Sequence, residues 1–241
     1  MTAPVFLCSD LDGDSIVLAG PEGRHAADVR RLRVGEHADL TDGQGLVVSG
    51  LVSSVSSGAV TFSVLSRRVV PRPSPLLTVV QALPKGDRGE LAVETMTEAG
   101  VDTIVPWAAE HCVAVWRGEK VSRGESKWRS AAREAAKQSR RAWLPSVASL
   151  ASTDSVAALV LSASLAVVLE GSASEGLSSV DLPASGEIVL IVGPEGGISP
   201  AERAAFAAAG AIECRLGPSV LRTSTAGVAA AAVVSARTAR W

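Results

Sequence analysis

Two hydrophobic rhythms divide the chain. In "HADLTDGQGLVVSGLVSSVSSGAVTFSVLSRR" (37–68), short apolar runs alternate with Asp-Gly, Gly-Gln-Gly and Ser-Ser-Gly turn signals. That spacing predicts short strands joined by tight turns, so residues 1–72 are expected to form a small β-barrel or β-rich module. The proline-rich "RVVPRPSP" (68–75) reads as a linker. Beyond it the rhythm changes. "LLTVVQAL" (76–83), "DTIVPW" (102–107), "LAVVLE" (165–170), "EIVLIV" (187–192) and "AIECRL" (211–216) predict strands. Between and after them, "GDRGELAVETMTEAG" (86–100), "SKWRSAAREAAKQSRRAW" (126–143), "PAERAAFAAAG" (200–210) and "TSTAGVAAAAVVSARTAR" (223–240) predict helices. Strand–helix alternation of this kind implies a mostly parallel α/β sheet over residues 73–241.

The run Glu187–Val192 is almost wholly apolar and β-branched, as suits a strand covered on both faces. It stops at Gly193-Pro194-Glu195-Gly196-Gly197. A helix start follows, with Ser199 as N-cap, Pro200 at the first helical position and Glu202 completing a capping box. Glycines let backbone approach a ligand closely, and open α/β sheets bind ligands beyond the carboxyl ends of their strands. A tight turn without a ligand is the plainer alternative. A second loop, "LGPSVLRTSTAG" (216–227), also lies between a strand and a helix, which favours a pocket shared by the two.

Composition narrows the classes. At 47% hydrophobic and a mean hydropathy of +0.28, the 241 residues can bury a substantial core. A net charge of −2 argues against a uniformly basic nucleic-acid binder. Yet residues 117–141 hold nine Lys and Arg against three Glu. Within them Arg129, Arg133, Lys137 and Arg141 recur every four residues. On a continuous helix they line one face, read here as a phosphate-contact surface that Arg30 and Arg33 extend, with a solvated face as the alternative. Three scattered cysteines imply neither a disulfide framework nor a zinc site, and no metal is expected. The first residues lack a signal peptide's basic region, and the C-terminal apolar run is too short to span a bilayer. A cytoplasmic protein without membrane contact is therefore expected. No Walker A lysine follows the glycines, and the Rossmann spacing is absent. Glu195 also disfavours a polyphosphate and suits an amine or sulfonium better.

The paired motifs "GPEGGISPAE" and "LGPSVLRTSTA" resemble those of the SPOUT superfamily of knotted methyltransferases, and most closely the RsmE-type ribosomal RNA uridine-N3 methyltransferases. "HAADVRRLRVGE" (25–36), "QALPKGDRGELAVETMTEAGVDTIVP" (81–106) and "REAAKQSRRAWLP" (133–145) extend the likeness along nearly the whole chain. Departures stand at Glu94 (commonly Lys), His111 (Arg), Lys137 (Glu), Arg140 (Gly) and Ser224 (Glu). The resemblance implies a PUA-like β-barrel at the N-terminus and an α/β SPOUT domain with a deep trefoil knot. It implies S-adenosyl-L-methionine held between three loops: one after Leu169, including Glu170; one at Gly193, Pro194, Gly196 and Gly197; and one at Leu216, Gly217, Leu221 and Thr223. It further implies 16S rRNA of the assembled small ribosomal subunit as substrate, and a homodimer. Arg222, permanently charged with five donors, is the first choice to stabilise negative charge on the uracil; Glu195 is the second catalytic candidate. A SPOUT enzyme with another RNA target and a non-catalytic RNA-binding relative are the competing readings.

Overall fold

The change of rhythm near residue 72 is a change of architecture in the computed structural model, which describes residues 3–241. One compact unit comprises Met1–Arg72 with Ala136–Leu144; the other comprises Pro73–Ala135 with Pro145–Trp241.

The first unit contains β1 (Val5–Leu7), β2 (Ser15–Leu18), α1 (Gly20–Arg24), a π-helical turn (His25–Val29), β3 (His37–Thr41), β4 (Leu46–Ser56) and β5 (Ala59–Val69). Its five strands run in the order β1-β3-β4-β5-β2. The turn signals do not cut this region into uniformly short strands. β4 and β5 each run 11 residues, and the ladder absorbs register shifts near Gly50 and Ser53. Phe6, Leu40, Val48, Val60 and Phe62 fill the interior. Segment 136–144 belongs to this unit through Trp143. Its indole N–H donates to the Val70 carbonyl at 2.9 Å, and its ring lies 2.7 Å from where a Cβ on Gly45 would stand.

The second unit follows the order β6 (Leu76–Ala82), α2 (Arg88–Glu98), β7 (Thr103–Trp107), α3 (Glu119–Gln138, of which the last three residues belong to the first unit), β8 (Ser146–Val147), α4 (Thr153–Ser162), β9 (Leu165–Leu169), β10 (Glu187–Val192), α5 (Pro200–Ala208), β11 (Ile212–Cys214) and α6 (Thr223–Ala236). The sheet order is β11-β9-β10-β6-β7-β8, and every pairing is parallel. β10 lies inside the sheet, and its residues alternate between two cores. Ile188, Leu190 and Val192 join Met96 of α2 and Val234 of α6. Val189 and Ile191 join Val156 of α4 and Phe206 of α5. This two-sided burial is why the strand carries no polar residue after Glu187.

α3 starts earlier and stops earlier than the sequence pattern suggests. Arg140 adopts the left-handed backbone (φ 59°), the conformation that glycine favours. The Arg141 N–H then bonds the Ala136 carbonyl at 2.9 Å and closes the helix end. Arg141 therefore lies beyond α3, and the four-residue face ends at Lys137. The chain's last turn is pinned to the second unit. Arg240 Nη1 lies 2.8 Å from Asp102 Oδ2, with both side chains almost wholly buried, and Arg237 Nη1 donates to the carbonyls of Leu177 (3.0 Å) and Val180 (2.7 Å). Among the described residues no helix is long and apolar enough to cross a membrane.

Candidate active site

Parallel register assembles the site. Val192 of β10 pairs with Leu169 of β9, and Leu169 with Cys214 of β11, so three strands end side by side on one edge of the sheet. Neighbouring strands lie about 4.8 Å apart, so the loops that follow emerge within about 10 Å of one another. They enclose a cavity of 540 Å³, within the usual range for small-molecule sites. Leu169, Glu170, Gly193, Pro194, Glu195, Gly197, Leu216, Gly217, Leu221, Arg222 and Thr223 all line it.

The glycine loop is held from outside the cavity. Both bonds of the capping box are present: Ser199 Oγ accepts from the Glu202 N–H at 3.3 Å, and Glu202 Oε2 accepts from the Ser199 N–H at 3.0 Å. Buried Glu202 does more than the motif implies. Its Oε1 also accepts from the Glu110 N–H (2.8 Å) and the Thr153 hydroxyl (3.1 Å). Gly197 has φ +77°, and Gly193 lies so close to Ile198 that a Cβ would come within 2.6 Å of its Cγ1. Gly196 differs from the expectation: it does not line the cavity. A Cβ there would stand 2.8 Å from the Cβ of His111, whose Nδ1 lies 3.1 Å from the Gly197 carbonyl. Its smallness serves packing behind the loop.

Glu195 lines the cavity while its Oε1 accepts from the Lys85 N–H at 3.2 Å. In the first loop, Glu170 Oε1 accepts from both the N–H and the hydroxyl of Ser172 at 3.0 Å. The Ser172 N–H, then its hydroxyl and the charge of Arg203, hold the Glu170 carboxyl below the ordinary glutamate range against the opposing effect of burial. The third loop is tied to the sheet by Gln81, whose Nε2 donates to the Thr223 carbonyl at 3.2 Å. Ser224 is buried on α6 and does not line the cavity, so that departure from the family pattern lies off the cavity wall.

Arg88, at the start of α2, lines the same cavity; it stands in the family-like stretch 81–106 but is not among the expected site residues. Its signal is topological: β6 is β10's other neighbour, so the loop after β6 leaves from the same edge. Among the described residues neither the Arg88 nor the Arg222 guanidinium makes a hydrogen bond or ion pair.

The basic residues divide differently from the expected face. Arg30 and Arg33 are exposed, as are Arg129, bonded to Glu125 at 3.0 Å, and Arg133. Lys137 is 7% exposed and its Nζ pairs with Glu22 Oε1 at 3.1 Å. Its charge is neutralised inside the first unit, because a carboxylate 115 residues away meets it there. Arg141 is half-buried beyond the helix. Among the described residues no group of three His, Cys, Asp or Glu is placed to hold a metal ion.

Comparison with known proteins agrees with this geometry. Residues 72–235 match the RNA methyltransferase domain family, and residues 18–65 match the RNA methyltransferase PUA domain family. The chain is 44% identical over 247 residues to the ribosomal RNA small subunit methyltransferase E of Mycobacterium bovis, covering 100% of this chain and 94% of that protein. A putative methyltransferase from Legionella pneumophila, solved with bound cofactor SAM, superposes with a TM-score of 0.87 at 27% identity, covering 99% of each chain. A ribosomal RNA small subunit methyltransferase E from Neisseria gonorrhoeae, bound to S-adenosyl methionine, gives 0.85 at 25% identity, covering 98% of each.

Proposed function

We propose, from the premise that the chain belongs to the ribosomal RNA small subunit methyltransferase E family, that it methylates N3 of one uridine in 16S rRNA of the assembled small subunit. The observation that carries the reading is the cavity at the ends of β9, β10 and β11, with two uncommitted guanidinium groups on its wall. The residues present fit S-adenosylmethionine. A cavity of 540 Å³ lined by two carboxylates, by the small residues Gly193, Gly197 and Gly217 and by the apolar side chains of Leu169, Leu216 and Val220 suits a cationic ligand that carries both an aromatic ring and many polar atoms. When bound, that cofactor supplies an electrophilic methyl group on a positively charged sulfur.

The chain's own residues do the rest. Glu170, with its charged form favoured, and the main chain of Gly193–Glu195, Gly197 and the Leu216–Thr223 loop hold the cofactor. Glu195 complements its positive charge and fixes the loop to Lys85. Uridine N3 is a weak acid; its proton passes to solvent water, and negative charge develops on the uracil as it leaves. Arg222, projecting from the third loop, offsets that charge, and Arg88 grips the nucleotide from the opposite loop. Exposed Arg30, Arg33, Arg129 and Arg133 contact RNA phosphates. The knot of the α/β unit, a homodimer and a cytoplasmic setting complete the proposal.

Nucleoside mass spectrometry of 16S rRNA from a deletion strain tests it. Loss of 3-methyluridine, restored by the wild-type gene, is expected. Loss of a ribose-methylated nucleoside, or of a tRNA modification instead, would assign another target, and no loss at all would leave an RNA-binding protein without this activity.

A further inference from the structure

Apart from the cavity between the strand-end loops, the first unit holds a small polar one of 110 Å³, walled by Pro4, Phe6, His25, Arg30, Lys137 and Arg140 among others. We infer that it is a subsite for a phosphate oxyanion, and that the phosphate is a backbone phosphodiester of the RNA substrate; the second half rests on the function proposed above.

Two unusual stretches of backbone frame the cavity. The π-helical turn His25–Val29 ends with the Arg30 N–H bonded to the His25 carbonyl at 2.8 Å, which sets the Arg30 side chain at the cavity wall. Such turns are rare and concentrate at functional positions. Opposite, Arg140 occupies a left-handed backbone that a side chain adopts only at a cost. Glycine would close α3 as well, so the fold by itself does not require a side chain there.

The balance of charge favours an anion. Lys137 is neutralised by Glu22, so it contributes shape and donors more than net charge. Among the described residues the guanidinium groups of Arg30 and Arg140 have no hydrogen bond or ion pair. Among the described residues no carboxylate lines the cavity. Two uncommitted guanidiniums facing one small cavity match the donor fork that binds phosphate oxygens. A diester of RNA is favoured over a free anion because Arg33 lies exposed three residues from Arg30, extending the positive surface along which a strand can run.

The full-length protein and its Arg30→Ala, Arg140→Gly and double variants test this in two assays. Anisotropy of a fluorescent RNA oligonucleotide across a salt series reads the RNA contact. Each single variant is expected to lower affinity roughly five- to eightfold at about 0.1 M salt and to flatten the slope of log K against log salt by about 0.7–0.9, the double variant by twice that. Calorimetric titration with inorganic phosphate reads the anion site, and binding should be lost in the double variant. Arg140→Gly should melt at or above the wild-type temperature, which separates lost contact from lost fold. Unchanged salt slopes with phosphate binding that disappears in the double variant would overturn the RNA assignment and keep the anion site. Unchanged slopes with no phosphate binding by the wild type would overturn both. Failure of the functional reading is distinguishable, because it shows as absent methyl transfer by the wild-type enzyme.

Discussion

Glu195 is tied to the backbone of Lys85: its Oε1 accepts the Lys85 N–H at 3.2 Å and links the glycine loop to the loop after β6. A carboxylate engaged in that way is a support and a counter-charge more than a proton acceptor. Glu195→Gln keeps an accepting oxygen and loses the charge. It is expected to weaken S-adenosylmethionine binding by about 1 kcal/mol while turnover stays within about tenfold of the wild-type rate. If turnover instead drops by about two orders of magnitude with binding intact, Glu195 is the general base.

The two arginines of the cavity should separate kinetically. Arg222→Ala is expected to lower single-turnover methylation by about 100-fold or more, the scale of losing one charge-stabilising donor, with cofactor affinity unchanged. Arg88→Ala should raise the KM for the small subunit more than it lowers turnover. Equal, small effects of both changes would move the charge stabilisation elsewhere.

The glycines of the loop should fail for different reasons. Gly197→Ala forces a Cβ into a positive-φ position and should cost about 1–2 kcal/mol of stability, read by urea denaturation. Gly196→Val strikes His111 and should displace the loop from behind. His111→Gly in the same chain removes the Cβ that obstructs at 2.8 Å, while the carbonyl oxygen at 3.1 Å remains, and should restore part of the lost cofactor affinity. Calorimetry of the single and double variants measures that recovery.

The buried ion pair of the second unit gives a stability prediction. Arg240→Met leaves the Asp102 carboxylate buried without its guanidinium, and should destabilise by about 3–5 kcal/mol in chemical denaturation. Adding Asp102→Asn should return part of that loss.

Acid should reach the cofactor site through Glu170. Its folded pKa lies below the unfolded value, so the stabilisation it gives is complete above the ordinary glutamate range and is lost as pH falls through the lower folded value. Cofactor affinity measured by calorimetry should therefore owe no pH dependence to this group above the ordinary glutamate range, and should decline only as pH falls through the lower folded value. Glu170→Gln should remove this part of the acid decline. An unchanged acid limb in that variant would exclude Glu170 as its source.

Where hydrophobic period and local chemistry decide the structure, the sequence is readable. Glu187–Val192 is a strand with the expected limits, and the Ser199–Glu202 capping box forms with both bonds. Both cavity loops are visible as glycine-bearing stretches between strand and helix. What sequence spacing does not supply is tertiary meeting. Lys137 has the spacing of a surface cation, but Glu22 claims it; Arg88 lies in a family-like stretch that does not single it out as a site residue, and sheet order brings it to the cavity. Gly196 has the right residue type and motif, but it faces His111. α4, with its mixed surface, shows no clear helical period and is absent from the expected elements.

Glu202 gathers the backbone of Glu110 and Ser199 and the hydroxyl of Thr153 onto one buried carboxylate. The glycine loop that begins α5 therefore takes its shape when the domain folds. The entropy of ordering that loop belongs to folding and not to capture of the cofactor, so binding loses less free energy to immobilisation. A loop so rich in glycine would otherwise be among the hardest parts of the chain to hold still; here the residue that holds it lies outside the cavity wall.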